Sequence, residues 1–171
     1  MNNFKAIPVS EFKENPILAL EKDWMLITAG TTDDFNMMTA AWGGFGFLWK
    51  KPVSYIFIRP QRHTFKYAES NNFFTLTFFS ENYRSILNKC GTLSGRDFDK
   101  MGKSGLKPFA TNHSVAFEEA RIIIECKKIY QDDIKEQNFI DTALLVNYPL
   151  KDYHRMYIGE ILNIFLNEKE L

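Results

Sequence analysis

The sequence predicts a mainly β fold, an antiparallel β-barrel with peripheral α-helices. Its 171 residues are 45% apolar and 15% aromatic, and aromatic side chains pack well on the pleated surface of a sheet. The first strand-like segments are joined by turns too short to hold the crossover helix that parallel strands need. Helical segments are few and lie between strands, which favours helices at the periphery of the barrel. An open α+β sandwich is the alternative fold.

Six segments have the density of β-branched and aromatic residues that is typical of strands. The first ends at Gly30, and a turn over residues 31–34 leads into the second. The third is stopped by Pro60, which cannot continue a strand ladder. The predicted strands are residues 24–29, 37–42, 52–58, 73–79, 120–130 and 155–167.

Helices are predicted for three shorter segments, from the spacing of their apolar residues or from a capping residue at their start. These segments are residues 62–71, 82–90 and 96–101. Residues 131–150 are expected to mix a helix with a strand, and the first twenty residues to form a short docking segment. No repeat or linker divides the chain, so a single domain over residues 1–171 is expected.

Composition argues against several classes of function. The net charge of zero and the pI near 6.8 give no basic footprint for DNA or RNA. Cys90 and Cys126 stand alone, without the spacing of zinc ligands, so no metal site is predicted. The N-terminus lacks the apolar core of a signal peptide, and no segment reaches the roughly 18 apolar residues of a membrane helix. A cytoplasmic location is therefore expected.

Two clusters in the first half of the chain carry candidate binding chemistry. In residues 36–44, small side chains in a predicted strand leave the backbone open to a flat ligand, although a tight hairpin explains the same pattern. In residues 59–64, Arg59 and Arg62 lie between a predicted strand and a predicted helix. Arginine and the N–H groups of a helix start suit a phosphate or carboxylate, and a solvated loop with a surface ion pair is the alternative.

Two further clusters lie in the second half. Residues 94–100 form a Ser-Gly-Arg turn followed by Lys100, which can place two cations and a hydroxyl around one anion. Equally, both cations can pair with the two aspartates of the same segment. Residues 153–160 include His154, which can transfer a proton, line a pocket or serve as a hydrogen-bonded structural group.

The order of these motifs resembles that of the flavin reductase-like family, and most closely that of its flavoredoxin branch. In chain order the motifs are N-x-M-T-A-x-W-G from Asn36, R-P-Q-R-x-T from Arg59, the strand FFTLTFF from Phe73, S-G-R-D-x-D-K from Ser94 and H-R-M-Y-I-G-E from His154. The resemblance runs from about Trp24 to about Phe165, nearly the whole chain. It implies an FMN-binding split β-barrel, antiparallel and of Greek-key type, that works as a homodimer with FMN near the subunit interface.

The same resemblance implies which residues contact FMN. Those expected along the isoalloxazine ring are Asn36, Met37, Met38, Thr39, Ala40 and Trp42. Those expected at the ribityl chain and phosphate are Arg59, Gln61, Arg62 and Thr64, with Cys90, Ser94, Gly95, Arg96 and Lys100 completing the phosphate end. Phe79 and Ser80 are expected against the cofactor. No residue is expected to act as a catalytic group, because the flavin itself supplies hydride and one-electron chemistry.

The activity implied by the resemblance is that of an NAD(P)H:flavin oxidoreductase, with a nicotinamide or an electron-transfer protein as donor. One alternative is a flavoredoxin-type electron carrier that does not oxidise NAD(P)H. Another is a barrel that binds a small aromatic ligand without redox chemistry. The Gly-x-Gly-x-x-Gly fingerprint is missing, but it belongs to Rossmann domains, so its absence does not separate the first two functions.

Overall fold

The computed structural model describes residues 3–96 and 99–169. These residues form ten strands: β1 (Phe4–Ile7), β2 (Met25–Thr31), β3 (Asp34–Ala40), β4 (Gly43–Leu48), β5 (Lys51–Ile58), β6 (Phe73–Phe78), β7 (Pro108–Ala110), β8 (Val115–Phe117), β9 (Ile122–Asp133) and β10 (Arg155–Asn167). The α-helices are α1 (Pro16–Leu18), α2 (His63–Ser70), α3 (Arg84–Thr92) and α4 (Lys100–Ser104). A π-helical turn covers Ala19–Asp23, and 3₁₀ turns cover Val9–Glu11, Glu81–Tyr83, Glu136–Asn138 and Thr142–Asn147.

The main sheet is antiparallel and has the strand order β3-β2-β6-β9-β10-β5-β4. Its first and last strands, β3 and β4, are consecutive in the chain and are joined by only residues 41–42. Because this link can span at most about 11 Å, both edges of the sheet come together and the sheet curls into a barrel. β1 pairs with the second half of β10, beyond the point where β5 ends. The predicted antiparallel barrel with peripheral helices is confirmed.

Successive apolar side chains along the strands face opposite sides of the sheet and so form two apolar cores. Ile27 of β2 and Ile124 of β9 face the inside of the barrel, while their neighbours Leu26 and Ile123 face an outer layer. The outer layer is covered by α3 and by the β7–β8 hairpin, which supply residues such as Leu87. This period of two is what places successive side chains on opposite faces of a strand.

Several predicted boundaries differ from the structure. β3 ends at Ala40, before Trp42, and the next strand, β4, was not predicted. Residues 131–150 contain no α-helix: β9 runs to Asp133 and 3₁₀ turns follow. Of the predicted helix 96–101, residues 97 and 98 lie outside the described residues, and α4 begins at Lys100.

None of the described helices has both the length and the apolar composition needed to cross a membrane. The longest, α3, has nine residues. A membrane-crossing helix needs about 20 residues to span the hydrocarbon core.

Candidate functional site

A cleft of about 230 Å³ opens where β3 and β5 end. Its floor is the run of small residues at the end of β3, which was predicted to lie against a flat ligand. Since β3 is an edge strand, one side of its backbone faces away from the sheet. The lining residues of this first cleft are Met38, Thr39, Ala40, Ala41, Trp42, Phe57, Arg59, Arg62 and His154.

A second cleft of about 120 Å³ lies on the other part of β3. Here the strand meets the turn that precedes α4, and Gly95 packs directly on the side-chain amide of Asn36. A Cβ at position 95 would come within 2.4 Å of that amide nitrogen, so a larger residue there would require the Asn36 side chain to shift. The lining residues of this second cleft are Phe35, Asn36, Met37, Gly95, Asp99, Lys100 and Met101.

Two of the predicted phosphate ligands meet at the C-terminal end of α3. The Arg62 guanidinium donates from Nη1 to the carbonyl of Gly91 at 2.6 Å and from Nη2 to that of Cys90 at 3.2 Å. The buried Lys100 ammonium donates to the same Cys90 carbonyl and to the Met37 carbonyl, both at 2.9 Å. Cations are favourable at a helix C-terminus, where carbonyls lack intrahelical partners. Lys100 therefore links α3 to β3, and Arg62 links the start of α2 to the end of α3.

Burial changes the acid–base properties of this cluster. Desolvation, together with the nearby Arg62 charge, lowers the pKa of Lys100 to about 8. Desolvation and the charge of Arg59 lower the pKa of Arg62 in the same way. The Cys90 thiol is buried in the outer core, and burial raises its pKa, so it does not have the depressed pKa of a reactive thiolate.

Arg59 is held by the segment that precedes β10. Its Nη1 donates to Oδ2 of Asp152 at 2.5 Å, and its Nη2 to the carbonyl of Asn147 at 2.8 Å. Gln61 donates to the same Asp152 oxygen. The hydrogen bond from Arg59 lowers the pKa of Asp152, which keeps this carboxylate charged. Asp152 thus neutralises one of the arginines at the mouth of the first cleft.

His154 forms the opposite wall of the first cleft. Its Nδ1 lies 2.9 Å from the hydroxyl of Tyr148, and its ring centroid is 5.1 Å from that of Trp42. Desolvation and the charge of Arg59 lower the pKa of His154 to about 4, so the imidazole is neutral at pH 7. Arg59 also lies over the Tyr148 ring, 5.1 Å from its centroid.

The N-terminus of α2 adjoins this region. Its N-cap residue, Arg62, makes no side-chain capping bond, so the first N–H groups of the helix lack that partner. Thr64 is buried in the first turn. Arg96 is exposed nearby, and its Nη2 donates a long bond of 3.4 Å to the carbonyl of Gln61. An uncapped helix start beside an arginine favours an anion.

Ten of the predicted site residues line one of the two clefts. They are Asn36, Met37, Met38, Thr39, Ala40, Trp42, Arg59, Arg62, Gly95 and Lys100. Seven do not line either cleft: Gln61, Thr64, Phe79, Ser80, Cys90, Ser94 and Arg96. Of these, Phe79 packs in the outer core against Phe117.

Sequence reasoning missed Phe57 in the first cleft, Phe35 and Met101 in the second, and two residues that contact Arg59, Tyr148 and Asp152. Phe57 lies on a strand that was predicted, but nothing in its spacing separates a lining residue from a core residue. Tyr148 and Asp152 reach Arg59 from about 90 residues along the chain. Such contacts leave no local signal in the sequence.

Comparison with known proteins agrees with this architecture. The family described as Flavin reductase like domain matches residues 19–171. Comparison with curated proteins gives no match.

Solved structures share the fold over most of the chain. The FMN-binding domain of a flavin reductases-like enzyme from Shewanella baltica superposes with a TM-score of 0.69 at 18% identity, over 96% of this chain and 78% of that one. Flavoredoxin of Desulfovibrio vulgaris (Miyazaki F) gives 0.68 at 23% identity, over 95% and 78%. A structure described by its split barrel domain, from Shewanella frigidimarina, gives a TM-score of 0.66 at 16% identity, over 86% of this chain and 68% of that one. The fold is therefore the split barrel.

Proposed function

Because the chain belongs to the flavin reductase-like family, we propose that it is an FMN-binding oxidoreductase. Reducing equivalents would pass from a nicotinamide or protein donor through FMN to an acceptor. The observation that carries this proposal is the first cleft, where a floor of small residues lies beside an uncapped helix start and two arginines. FMN has a flat ring, a polar ribityl chain and an anionic phosphate, so this set of groups matches its parts.

The ring is assigned to the floor of the first cleft. Residues 39–41 are small enough to let a planar ligand approach the edge of β3, whose outward backbone groups can bond the polar side of a flavin. Trp42, 48% exposed, supplies an aromatic face beside this floor. The side chain of Thr39 instead donates to the Leu87 carbonyl at 2.5 Å, so its contribution is to hold the floor against α3.

The phosphate is assigned to the N-terminus of α2. Arg62 and Lys100 already donate hydrogen bonds to carbonyls at the end of α3, whereas Arg96 is exposed and its hydrogen bond to the Gln61 carbonyl is long. Backbone N–H groups of a helix start and an arginine fork together suit a dianionic phosphate. Arg96 is therefore the proposed principal phosphate contact, with Arg62 and Lys100 adding positive potential.

The cofactor supplies the hydride and one-electron chemistry, so the protein needs only to bind, orient and tune it. We propose NAD(P)H as the donor. The second candidate function is an electron carrier without NAD(P)H oxidation, which is favoured by the likeness to flavoredoxin. Both functions use the same flavin site.

We also propose that the protein is a homodimer with FMN near the subunit interface. The first cleft has about 230 Å³, below the roughly 300–1,000 Å³ of typical ligand pockets. A second subunit over Trp42 would complete the enclosure. Light scattering during size-exclusion chromatography tests this: a mass near 40 kDa, about twice the 20.0 kDa chain, is expected, and a monomer with bound flavin would contradict it.

The first test is the visible spectrum of the purified protein, with FMN added if needed and with NADH or NADPH then added under anaerobic conditions. A bound flavin spectrum that bleaches supports the reductase. A flavin that bleaches only with dithionite supports the electron carrier. A protein that is colourless and does not bind added FMN contradicts both functions.

The second test is the affinity for FMN of Arg96→Ala. Loss of a charged hydrogen bond costs about 1.5–3 kcal/mol, so FMN should bind roughly 10- to 150-fold more weakly. Lys89→Ala removes an exposed charge on α3 and is the control for net charge. Equal affinities of the wild type and Arg96→Ala would remove Arg96 from the phosphate site.

A further inference from the structure

The second ring nitrogen of His154 is left for a ligand. His154 lines the first cleft, its Nδ1 is engaged with Tyr148, and no group among the described residues hydrogen-bonds to its Nε2. A neutral imidazole carries one proton, on either nitrogen, and the choice decides whether the free nitrogen is a donor or an acceptor. The partner of Nδ1 therefore determines what His154 offers to the cleft.

The surroundings of Tyr148 favour it as the donor in this hydrogen bond, whose direction depends on the tautomer of His154. If Nδ1–H donated to the phenol oxygen, the phenol would need another acceptor for its own proton, and the described residues provide none within hydrogen-bond distance. The Arg59 guanidinium over the Tyr148 ring also favours donation, because a nearby cation makes the phenol a stronger donor. Donation from Tyr148 O–H to Nδ1 would place the imidazole proton on Nε2.

We propose that Tyr148 is a positioning residue that fixes His154 as the Nε2–H tautomer, so that His154 donates a hydrogen bond to a carbonyl oxygen of the molecule bound in the first cleft. This inference rests on the proposed function for the identity of that molecule. A carbonyl oxygen is present both on the flavin ring and on the carboxamide of a nicotinamide. Because the imidazole is neutral at pH 7, it carries a single proton and can be held as one tautomer.

The position of Tyr148 is itself fixed by its surroundings. Its ring packs against Phe139 and Tyr153, with centroids at 5.9 Å and 4.9 Å, and the phenol lies only six residues before His154 in the chain. Replacing Tyr148 by Phe keeps this packing and the contact with Arg59 while removing the hydroxyl. Tyr153→Phe is the matched control, since the Tyr153 hydroxyl bonds to Glu136 and not to His154.

The tautomer is measured by NMR of ligand-free protein labelled at the histidine ring nitrogens. The chain has three histidines, and the resonances lost in His154→Gln identify those of His154. We expect a protonated Nε2 and an unprotonated Nδ1 in the wild type and in Tyr153→Phe, and a mixed or reversed tautomer in Tyr148→Phe. A wild-type protein protonated at Nδ1, or a tautomer unchanged in Tyr148→Phe, would overturn the proposal.

Ligand titrations test the donor role. Loss of one neutral hydrogen bond should weaken binding about 3- to 10-fold in Tyr148→Phe. Weaker binding of FMN would identify the flavin carbonyl, and weaker binding of NADH or NADPH to the FMN-loaded protein would identify the carboxamide. If neither changes although the tautomer does, His154 is not the donor. Wild-type protein that binds no FMN would contradict the proposed function, whereas the tautomer measurement needs no flavin and still decides the role of Tyr148.

Discussion

The lowered pKa of the buried Lys100 predicts that the stability of the protein depends on pH. Lys100 is 7% exposed, and its pKa falls from 10.5 to about 8 because burial and the Arg62 charge disfavour the cation. The unfolded chain therefore binds more protons than the folded protein between these two values, and stability rises with pH in this window. From pH 7 to pH 10 the contribution of Lys100 to the free energy of unfolding should increase by about 2.5 kcal/mol.

The assay is urea unfolding of ligand-free wild type and Lys100→Met at pH 7, 8, 9 and 10. All other titrating groups are shared, so the difference between both proteins isolates Lys100. The wild type should gain about 2.5 kcal/mol relative to the variant over this range. Lys103→Met, on the same helix, controls for the loss of a positive charge. Parallel pH curves for the wild type and Lys100→Met would refute the reasoning.

Two further predictions concern His154 and Gly159. Because its pKa is lowered from 6.5 to about 4, His154 should cost the wild type about 2 kcal/mol of stability between pH 7 and pH 5, as the unfolded state takes up the proton first. Denaturant unfolding of His154→Gln should lack this loss, and an equal loss would exclude His154 as its source. A Cβ at Gly159 would lie 2.5 Å from Cζ of Phe74, so Gly159→Ala should lower stability by about 1–3 kcal/mol. Gly44→Ala is the control, because a Cβ there would make only an ordinary contact of 3.8 Å, and its thermal stability should be close to that of the wild type. Similar losses of stability in both variants would contradict the overpacking argument.

The strands were predictable where strand-forming residues continue over a long segment. β10 was predicted with the bounds that the structure has, although two bulges in its pairing with β9 shift which of its residues face the core. β4 was missed because its glycines have low strand propensity. β4 is stabilised instead by pairing with β5, in a register that runs from Gly43–Ile56 to Leu48–Lys51. This tertiary contact outweighs the low strand propensity of its residues.

The candidate site was predictable as a set of motifs but not as a set of contacts. The sequence shows that Lys100 follows a Ser-Gly-Arg turn, and it suggests an anion or the adjacent aspartates as partners. In the structure Lys100 binds carbonyls 10 and 63 residues away, and Asp99 caps α4 by accepting from the N–H of Gly102. Which acceptor a cation finds depends on how α3 lies on β3, and this is decided by packing rather than by local sequence.

Because some cations near the cleft are already bonded to protein carbonyls, the positive charges there differ in how they can interact with an anion. A guanidinium or ammonium that donates to protein carbonyls keeps its charge, but it has fewer hydrogens for a phosphate. Arg62 and Lys100 would then contribute through their electric field, which mobile ions screen over roughly 10 Å at 0.1 M salt. Arg96 and the N–H groups of α2 would contribute direct hydrogen bonds, which are screened less once desolvated. The proposed phosphate end of the site would thus combine cations that stabilise the fold with donors that bind the ligand.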